Sequence, residues 1–266
     1  MTGHLASLRM AALRLAVLLL ALPAVPAAAQ VALTPQIYTI DLGKPQRTYA
    51  FRLSNFTPQA VSVVVSAVNW TMTRHGRVLR LPMREQSLAP WLEVSPRSFR
   101  VPAHGSQVVR FAVRADVPLR PGEHRAMLYF TERRPAAAAA GKSMFISLFR
   151  FGAAIYALQP PYVSKGRIAS VHVDASGAQF VLRNLGDTTV RMEGDYAVRR
   201  RGQARPLARG RLPLGPCLPG ALRDVALQFD VRGGLPPGAY VLSLHGAMGT
   251  QVIARKVPFR VRAPAR

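Results

Sequence analysis

The side chains that most often carry out chemistry are scattered through this chain of 266 residues, and none forms a catalytic pattern. The six histidines lie far apart, with no pair at the spacing that binds a metal ion. No serine occupies a G-x-S-x-G motif, and the 12 acidic residues fall in no recognisable catalytic motif. The single cysteine, Cys217, has no histidine or acid nearby in sequence to activate a thiolate. We therefore expect no enzymatic activity, no metal site and no cofactor.

One segment imitates a phosphate-binding loop. The run Ala140-Gly141-Lys142-Ser143 has the ending of that motif, but Ala136 stands where its first glycine belongs. The surrounding sequence also lacks the strand, loop and helix that such a loop joins. Nucleotide binding is therefore not predicted.

The first 29 residues have the organisation of a secretory signal peptide. Arg9 and Arg14 precede a short apolar run from Leu15 to Leu22, and Ala27-Ala28-Ala29 offers a small-residue cleavage site. A membrane anchor is the alternative, but the run is shorter than the ~20 apolar residues that a helix needs to span a bilayer. We expect a mature chain that begins near Gln30, is secreted to the periplasm and does not span the membrane.

Charge is the most unusual property of the composition. The formal net charge is +24, and nearly all the cations are arginine, which together with abundant Ala, Pro and Gly is typical of a GC-rich coding bias. An excess of this size also favours anionic partners. The densest run, Arg199-Arg200-Arg201 with Arg205 and Arg209, lies between glycines. We interpret it as a solvated hairpin tip, with an anion site as the alternative.

Apolar residues alternate with polar ones along most of the chain, which indicates short β-strands. The stiff segment Gln159-Pro160-Pro161 divides this pattern into blocks 30–158 and 162–266. An immunoglobulin-type sandwich uses about 100 residues. We therefore predict an all-β protein with two immunoglobulin-like β-sandwich domains after a cleaved signal peptide. The predicted strands of the second block are Ile168–Val173, Gln179–Leu182, Thr189–Val198, Ala226–Val231, Tyr240–Leu244 and Gln251–Phe259.

Several short motifs follow one another in a characteristic order. In the first block these are Leu53–Asn55, Trp70, Leu92–Pro96, Phe99–Ala103, Gln107–Arg110 and Glu123–Phe130, and in the second Leu182–Gly186 and Leu235–Tyr240. Their order and spacing resemble the periplasmic chaperones that assemble fimbriae (pili), the PapD-like family. The resemblance implies two immunoglobulin-like domains set at an angle, no use of ATP, and two partners: pilin subunits and an outer-membrane usher.

The resemblance also implies which strand binds the subunit. A family chaperone lends an edge strand to an incomplete subunit, so that strand needs exposed apolar residues at every second position. In Lys142–Phe151, the family pattern assigns this role to Met144, Ile146 and Leu148, and the alternate phenylalanines face the other way. The alternative is that these three side chains belong to the core of a strand buried on both faces.

The chain departs from the family at the basic residues that hold the subunit's C-terminal carboxylate. Its first strand, Leu33 to Asp41, contains no base. Arg150 and Arg100 are the candidate substitutes, since a guanidinium can grip a carboxylate with two hydrogen bonds. The resemblance gives Glu123 and Arg110 structural roles, Glu123 at the domain junction.

Two other functional classes stay open at this point. Tandem immunoglobulin-like domains also serve as structural or adhesive surface modules, and the net charge suits a binder of nucleic acid or another polyanion. We favour the chaperone and expect no nucleic-acid partner.

Overall fold

The computed structural model describes residues 30–46, 48–82, 87–114, 119–133, 148–213 and 215–263. Within these ranges the regular structure is β-strand apart from one 3-10 turn, Ala89–Trp91, and no helix is long and apolar enough to cross a membrane. The first ten strands are β1 (Val31–Thr34), β2 (Ile37–Asp41), β3 (Thr48–Asn55), β4 (Val61–Met72), β5 (Val78–Leu81), β6 (Leu92–Ser95), β7 (Ser98–Val101), β8 (Ser106–Val113), β9 (Gly122–Glu132) and β10 (Arg150–Gln159).

These ten strands form two sheets packed around one core. The first sheet has the order β1-β3-β8-β6, and the second has the order β2-β10-β9-β4-β5 with β7 also paired to β4. The chain changes sheets at Pro35-Gln36, because β1 pairs antiparallel with β3 whereas β2 pairs parallel with β10. Inward side chains such as Phe51, Phe111 and Phe130 are fully buried. The Phe51 ring stacks on Phe111 and meets Phe130 edge to face. Burial of these alternate positions holds the two sheets face to face.

Seven further strands form a second sandwich. They are β11 (Gly166–Val173), β12 (Gly177–Asn184), β13 (Met192–Arg200), β14 (Ala208–Arg211), β15 (Leu222–Gln228), β16 (Gly238–Met248) and β17 (Gln251–Val261). The sheets have the orders β11-β12-β15 and β14-β13-β16-β17. Their core includes Phe180, Leu182, Tyr240, Leu242 and Leu244.

Each sandwich has a corner that is built on a buried asparagine. Asn55, at the end of β3, donates from Nδ2 to the carbonyl oxygens of Gln59 and Pro102, at 2.8 and 2.9 Å. Asn184, at the end of β12, likewise donates to Thr188 and Cys217, at 2.7 and 2.8 Å. Each amide satisfies backbone acceptors that burial would otherwise leave without a partner.

The predicted all-β fold class with two immunoglobulin-like sandwiches is confirmed. All six strands predicted for the second block are present with shifted ends, whereas β14 was missed. The arginine-rich run does form a hairpin end, since β13 pairs with β14 across it. The signal peptide, residues 1–29, and the imitation phosphate loop lie outside the described residues.

Candidate functional site at the edge of β10 and the domain cleft

Among the residues that the structure describes, only half of the outer edge of β10 is covered by another strand. Its partner β9 runs beside it from Arg150 to Gln159, whereas β2 covers the opposite side from Ala154 to Leu158. The covering begins where the Ala154 amide donates to the carbonyl of Gln36, at 3.0 Å. Within the described residues, Arg150–Ala153 therefore pairs on one side only. Such a stretch of unpaired backbone is a template for another strand.

Alternation along β10 sends its side chains to two different surroundings. Phe149 and Phe151 are half-buried and pack against the core of the first sandwich. The intervening Arg150 and Gly152 are exposed on the opposite face, and Leu148, just before the strand, is 43% exposed. Leu148 therefore does not belong to the hydrophobic core in the free protein.

The outward face of this sheet continues into an apolar cluster between the domains. Trp70, Met127 and Tyr156 are buried there against Leu218 of the second sandwich. Gly152 sits beside the cluster, where an added Cβ would lie 2.9 Å from the sulfur of Met127. The missing side chain lets this part of the sheet surface stay flat next to the open edge of β10.

Glu123 links the two domains through a buried carboxylate, with a side chain only 1% exposed. Its Oε1 accepts hydrogen bonds from Arg125 Nη1 and from the Thr189 hydroxyl, both at 2.7 Å, and its Oε2 accepts one from the Thr189 amide at 2.5 Å. Arg125 belongs to the first sandwich and Thr189 to the second. A charged acceptor with three donors is a strong cross-link.

A hairpin tip of the first domain makes a second polar contact across the junction. Arg74, between β4 and β5, donates from Nε to the carboxylate of Asp224 at 2.8 Å, and His75 lies 3.1 Å from the same carboxylate. The backbone of Arg74 also accepts hydrogen bonds from the Asp224 amide and the Arg223 guanidinium. Apolar and polar contacts together fix the cleft between the domains.

Arg191 stands in this cleft with incomplete hydrogen bonding. A cavity of about 180 Å³ is lined by Thr39, Glu123, Tyr156, Thr189 and Arg191, among others. The Arg191 guanidinium lies 5.2 Å from the Tyr156 ring, and its buried Nη2 has no hydrogen-bond partner among the described residues. Burial raises the pKa of the Tyr156 phenol, and the positive charge of Arg191 partly opposes that rise.

The charges around this cavity favour an incoming anion. Glu123 and Arg191 both line the cavity, and Glu123 is already paired with Arg125. Among the described residues, Arg125 Nε and Arg191 Nη2 are buried nitrogens without a hydrogen-bond partner. A carboxylate offers two acceptor oxygens, which match a guanidinium well. The cavity therefore suits a monovalent carboxylate.

The site residues predicted from the sequence lie in different parts of the first domain. Met144 and Ile146 lie outside the described residues. The Arg150 guanidinium covers the Tyr129 ring at 4.5 Å, on the face of the sheet shared with the cleft. Arg100 is exposed on β7, roughly 14 Å along the sheet from Arg150 at the usual strand spacing. Arg110 is exposed on β8, in the other sheet.

Sequence reasoning missed Arg191 for a simple reason. Its partner Tyr156 is 35 positions earlier in the chain, so no local pattern connects them. The lone thiol, by contrast, agrees with the lack of activating neighbours in the sequence. Cys217 is buried, and burial raises its pKa, which keeps it protonated.

No family model and no curated protein matches this chain. Among solved structures, the YadV chaperone covers 87% of this chain and 100% of its own, with 11% identity and a TM-score of 0.48. The CupB2 chaperone of Pseudomonas aeruginosa covers 86% and 100%, with 14% identity and a TM-score of 0.44. The CsuC–CsuE chaperone–tip adhesion subunit complex from Csu pili of Acinetobacter baumannii covers 88% of this chain and 99% of its own, with 13% identity and a TM-score of 0.48. With TM-scores below 0.5, the function has to be argued from the geometry of this chain.

Proposed function

We propose that this chain is a periplasmic chaperone that binds pilus or fimbrial subunits by donor-strand complementation and delivers them to an outer-membrane usher. The observation that carries the proposal is the half-open edge of β10. Among the described residues, Arg150–Ala153 pairs only with β9, and the exposed Leu148 precedes it. An edge of this kind invites pairing with another chain, so a natural protein normally protects it.

Binding at this edge would use two kinds of interaction. Backbone amides and carbonyls beyond the reach of β2 would pair with a strand of the subunit, and alternate apolar side chains would enter its groove. We assign the second role to Met144, Ile146 and Leu148. Phe149 and Phe151, at alternate positions, hold the strand to its own domain.

The cleft would position the end of the subunit. A C-terminal carboxylate that reaches the cavity between the domains would meet Nη2 of Arg191, which has no hydrogen-bond partner in the described part of the chain. We therefore add Arg191 to Arg150 and Arg100 as a candidate anchor, and we favour Arg191 because its guanidinium is already partly desolvated. Pairing would remove the cost of its unsatisfied donor.

Subunit capture tests the proposal directly. Leu148→Asp should abolish copurification with a pilin subunit, because a charge would enter an apolar groove, while the free protein stays folded. The lost apolar contact alone is worth about 1 kcal/mol, since less than half of a leucine remains to be buried. Ile146→Asp should behave in the same way.

Leu207→Asp is the matched control, because Leu207 is 46% exposed on the second domain, away from β10. It should leave capture unchanged. If Leu148→Asp captures subunits as well as Leu207→Asp does, the edge is not the binding site. If Leu148→Asp is unfolded on its own, the strand belongs to the core.

The anchor is tested with two forms of the subunit. Arg191→Gln should weaken capture of a subunit with a free C-terminus by tenfold or more, and should affect a C-terminally amidated subunit much less. Arg150→Ala and Arg100→Ala are compared in the same assay. Equal losses for both subunit forms would remove the tested arginine as the anchor.

Location and delivery are tested in cells. N-terminal sequencing of the periplasmic fraction should give a chain that starts near Gln30, whereas a full-length cytoplasmic product would contradict export. Adjacent genes for an usher and small pilins favour the chaperone. An isolated gene together with failed capture would favour a structural or adhesive surface module.

A further inference from the structure

The fold gathers arginines that are dispersed in the sequence onto one face of the second domain. In the sheet β14-β13-β16-β17, inward residues such as Val198, Leu242 and Leu244 are buried, so their neighbours point outward. The outward positions include five cations, which we call the basic face: Arg199, Arg209, Arg211, Lys256 and Arg260. Two carboxylates, Asp195 and Glu193, share this face.

The basic face is broad and flat. The register places Arg209 and Lys256 at the two ends of one row, with only Ala197 and Ser243 between them. That row spans roughly 14 Å at the usual strand spacing. Because the cations are spread over a plane and do not converge on one point, they suit an extended anionic surface better than a single small ion.

Two exposed apolar side chains border the same face. Leu207 pairs with the end of β13 through its backbone amide and is 46% exposed. Val252 is 73% exposed and lies outward on β17, opposite Ala247. Cations combined with exposed aliphatic side chains are characteristic of proteins that lie on a lipid surface.

The other sheet of this domain does not share the pattern. The outward face of β11-β12-β15 carries Arg167 and Arg183, which face each other in register, and the carboxylate of Asp224. The outward-facing positive charge of this domain is therefore concentrated on the sheet β14-β13-β16-β17. The basic face also has no Phe, Tyr or Trp at its outward positions, which disfavours stacking of unpaired nucleic-acid bases.

We propose that the basic face binds the surface of an anionic phospholipid membrane. The arginines and lysine would contact the headgroup phosphates, and Leu207 and Val252 would enter the boundary of the acyl chains. This surface is on the second domain, separate from the edge of β10 that serves the proposed capture of subunits. A subunit and a membrane would therefore not compete for the same residues.

Vesicle sedimentation tests this proposal with the purified protein. Vesicles of phosphatidylglycerol and phosphatidylcholine should bind it, vesicles of phosphatidylcholine alone should not, and high salt should release it. Each cation at such a surface contributes about 5-fold in binding, so Arg209→Ser combined with Lys256→Ser should reduce binding roughly 25-fold. Arg167→Ser combined with Arg183→Ser removes the same charge from the opposite sheet and should have little effect.

The apolar pair gives a second readout. Leu207→Ser combined with Val252→Ser should lower vesicle binding several-fold without changing the net charge. Failure to bind the anionic vesicles would overturn the proposal. So would an equal loss of vesicle binding in the Arg209→Ser/Lys256→Ser variant and in the Arg167→Ser/Arg183→Ser variant. Binding to a short DNA duplex that is as tight as vesicle binding, and independent of Leu207 and Val252, would also overturn it.

Discussion

Replacement of Glu123 by glutamine should loosen the junction between the domains while each sandwich stays folded. The Glu123 carboxylate accepts three hydrogen bonds, two of them from Thr189 in the second domain. An amide in its place has one acceptor and one donor. Whichever way the amide turns, its NH₂ group meets a donor from Arg125 or from the Thr189 backbone. At least one strong hydrogen bond is therefore lost.

The free-energy cost follows from the burial of the pair. Hydrogen bonds to charged groups contribute about 1.5–3 kcal/mol each. Removal of one partner from a buried ion pair costs about 3–5 kcal/mol, because the other charge is left uncompensated. The Arg125 side chain is still 21% exposed, which places the expected cost near the lower bound, about 3 kcal/mol. A loss of that size raises the population of the open junction roughly 100-fold.

Tryptophan fluorescence reports on this opening. The chain has two tryptophans, and Trp70 is 3% exposed in the apolar cluster between the domains. Glu123→Gln is made in a Trp91→Phe background and compared with the Trp91→Phe protein. Trp70 should be easier to quench in the double variant, and its emission should shift to longer wavelength at a lower urea concentration. Loss of β-sheet circular dichroism should follow only at higher urea.

Glu193→Gln provides the control, since it makes the same chemical change at an exposed position. That variant should match the background protein in both signals. If Glu123→Gln also matches the background, the carboxylate does not hold the domains together. If fluorescence and circular dichroism change together, the junction and the sandwiches unfold as one unit.

Three further predictions concern single side chains. Gly246→Ala should destabilise the second domain by about 1–3 kcal/mol in urea titrations, because its Cβ would clash with the backbone carbonyl oxygen of Glu193; an unchanged midpoint would contradict this contact. The Cys217 thiol should react with a thiol reagent only after unfolding, since burial raises its pKa, and rapid reaction of the native protein would show that it is accessible. The Tyr156 phenol should ionise above its ordinary pKa of 10.0, so stability is lost as the pH rises past that value and the unfolded state ionises first. Arg191→Gln should raise the pKa of Tyr156 further, as followed by phenolate absorbance, and a fall would contradict the contact between them.

Much of the fold could be predicted from the sequence because strands leave a local signal. Alternation of apolar and polar residues depends only on near neighbours, and it located the strands of the second block. The short strand β14, with the sequence Ala-Arg-Gly-Arg, has no such alternation of hydrophobic residues and was missed. Its pairing with β13 stabilises it instead.

The sites depend on contacts between distant parts of the chain, which sequence patterns do not contain. Arg191 meets Tyr156 only because the two domains pack together. The basic face arises because Arg209 and Lys256 reach one row of a sheet from separate strands. The length of the open half of β10 depends on where β2 begins to pair with it. The residues on either side of Gln36 carry no sequence pattern that specifies this point.

The parallel pairing of β2 with β10 limits how far a guest strand could extend along β10. Because β2 already covers β10 from Ala154 onward, a guest that pairs with the open edge must stop before Gln36. Its position along β10 would then be limited by where it ends. Subunits with different sequences but equal distances between their last strand and their last residue would therefore dock in the same register.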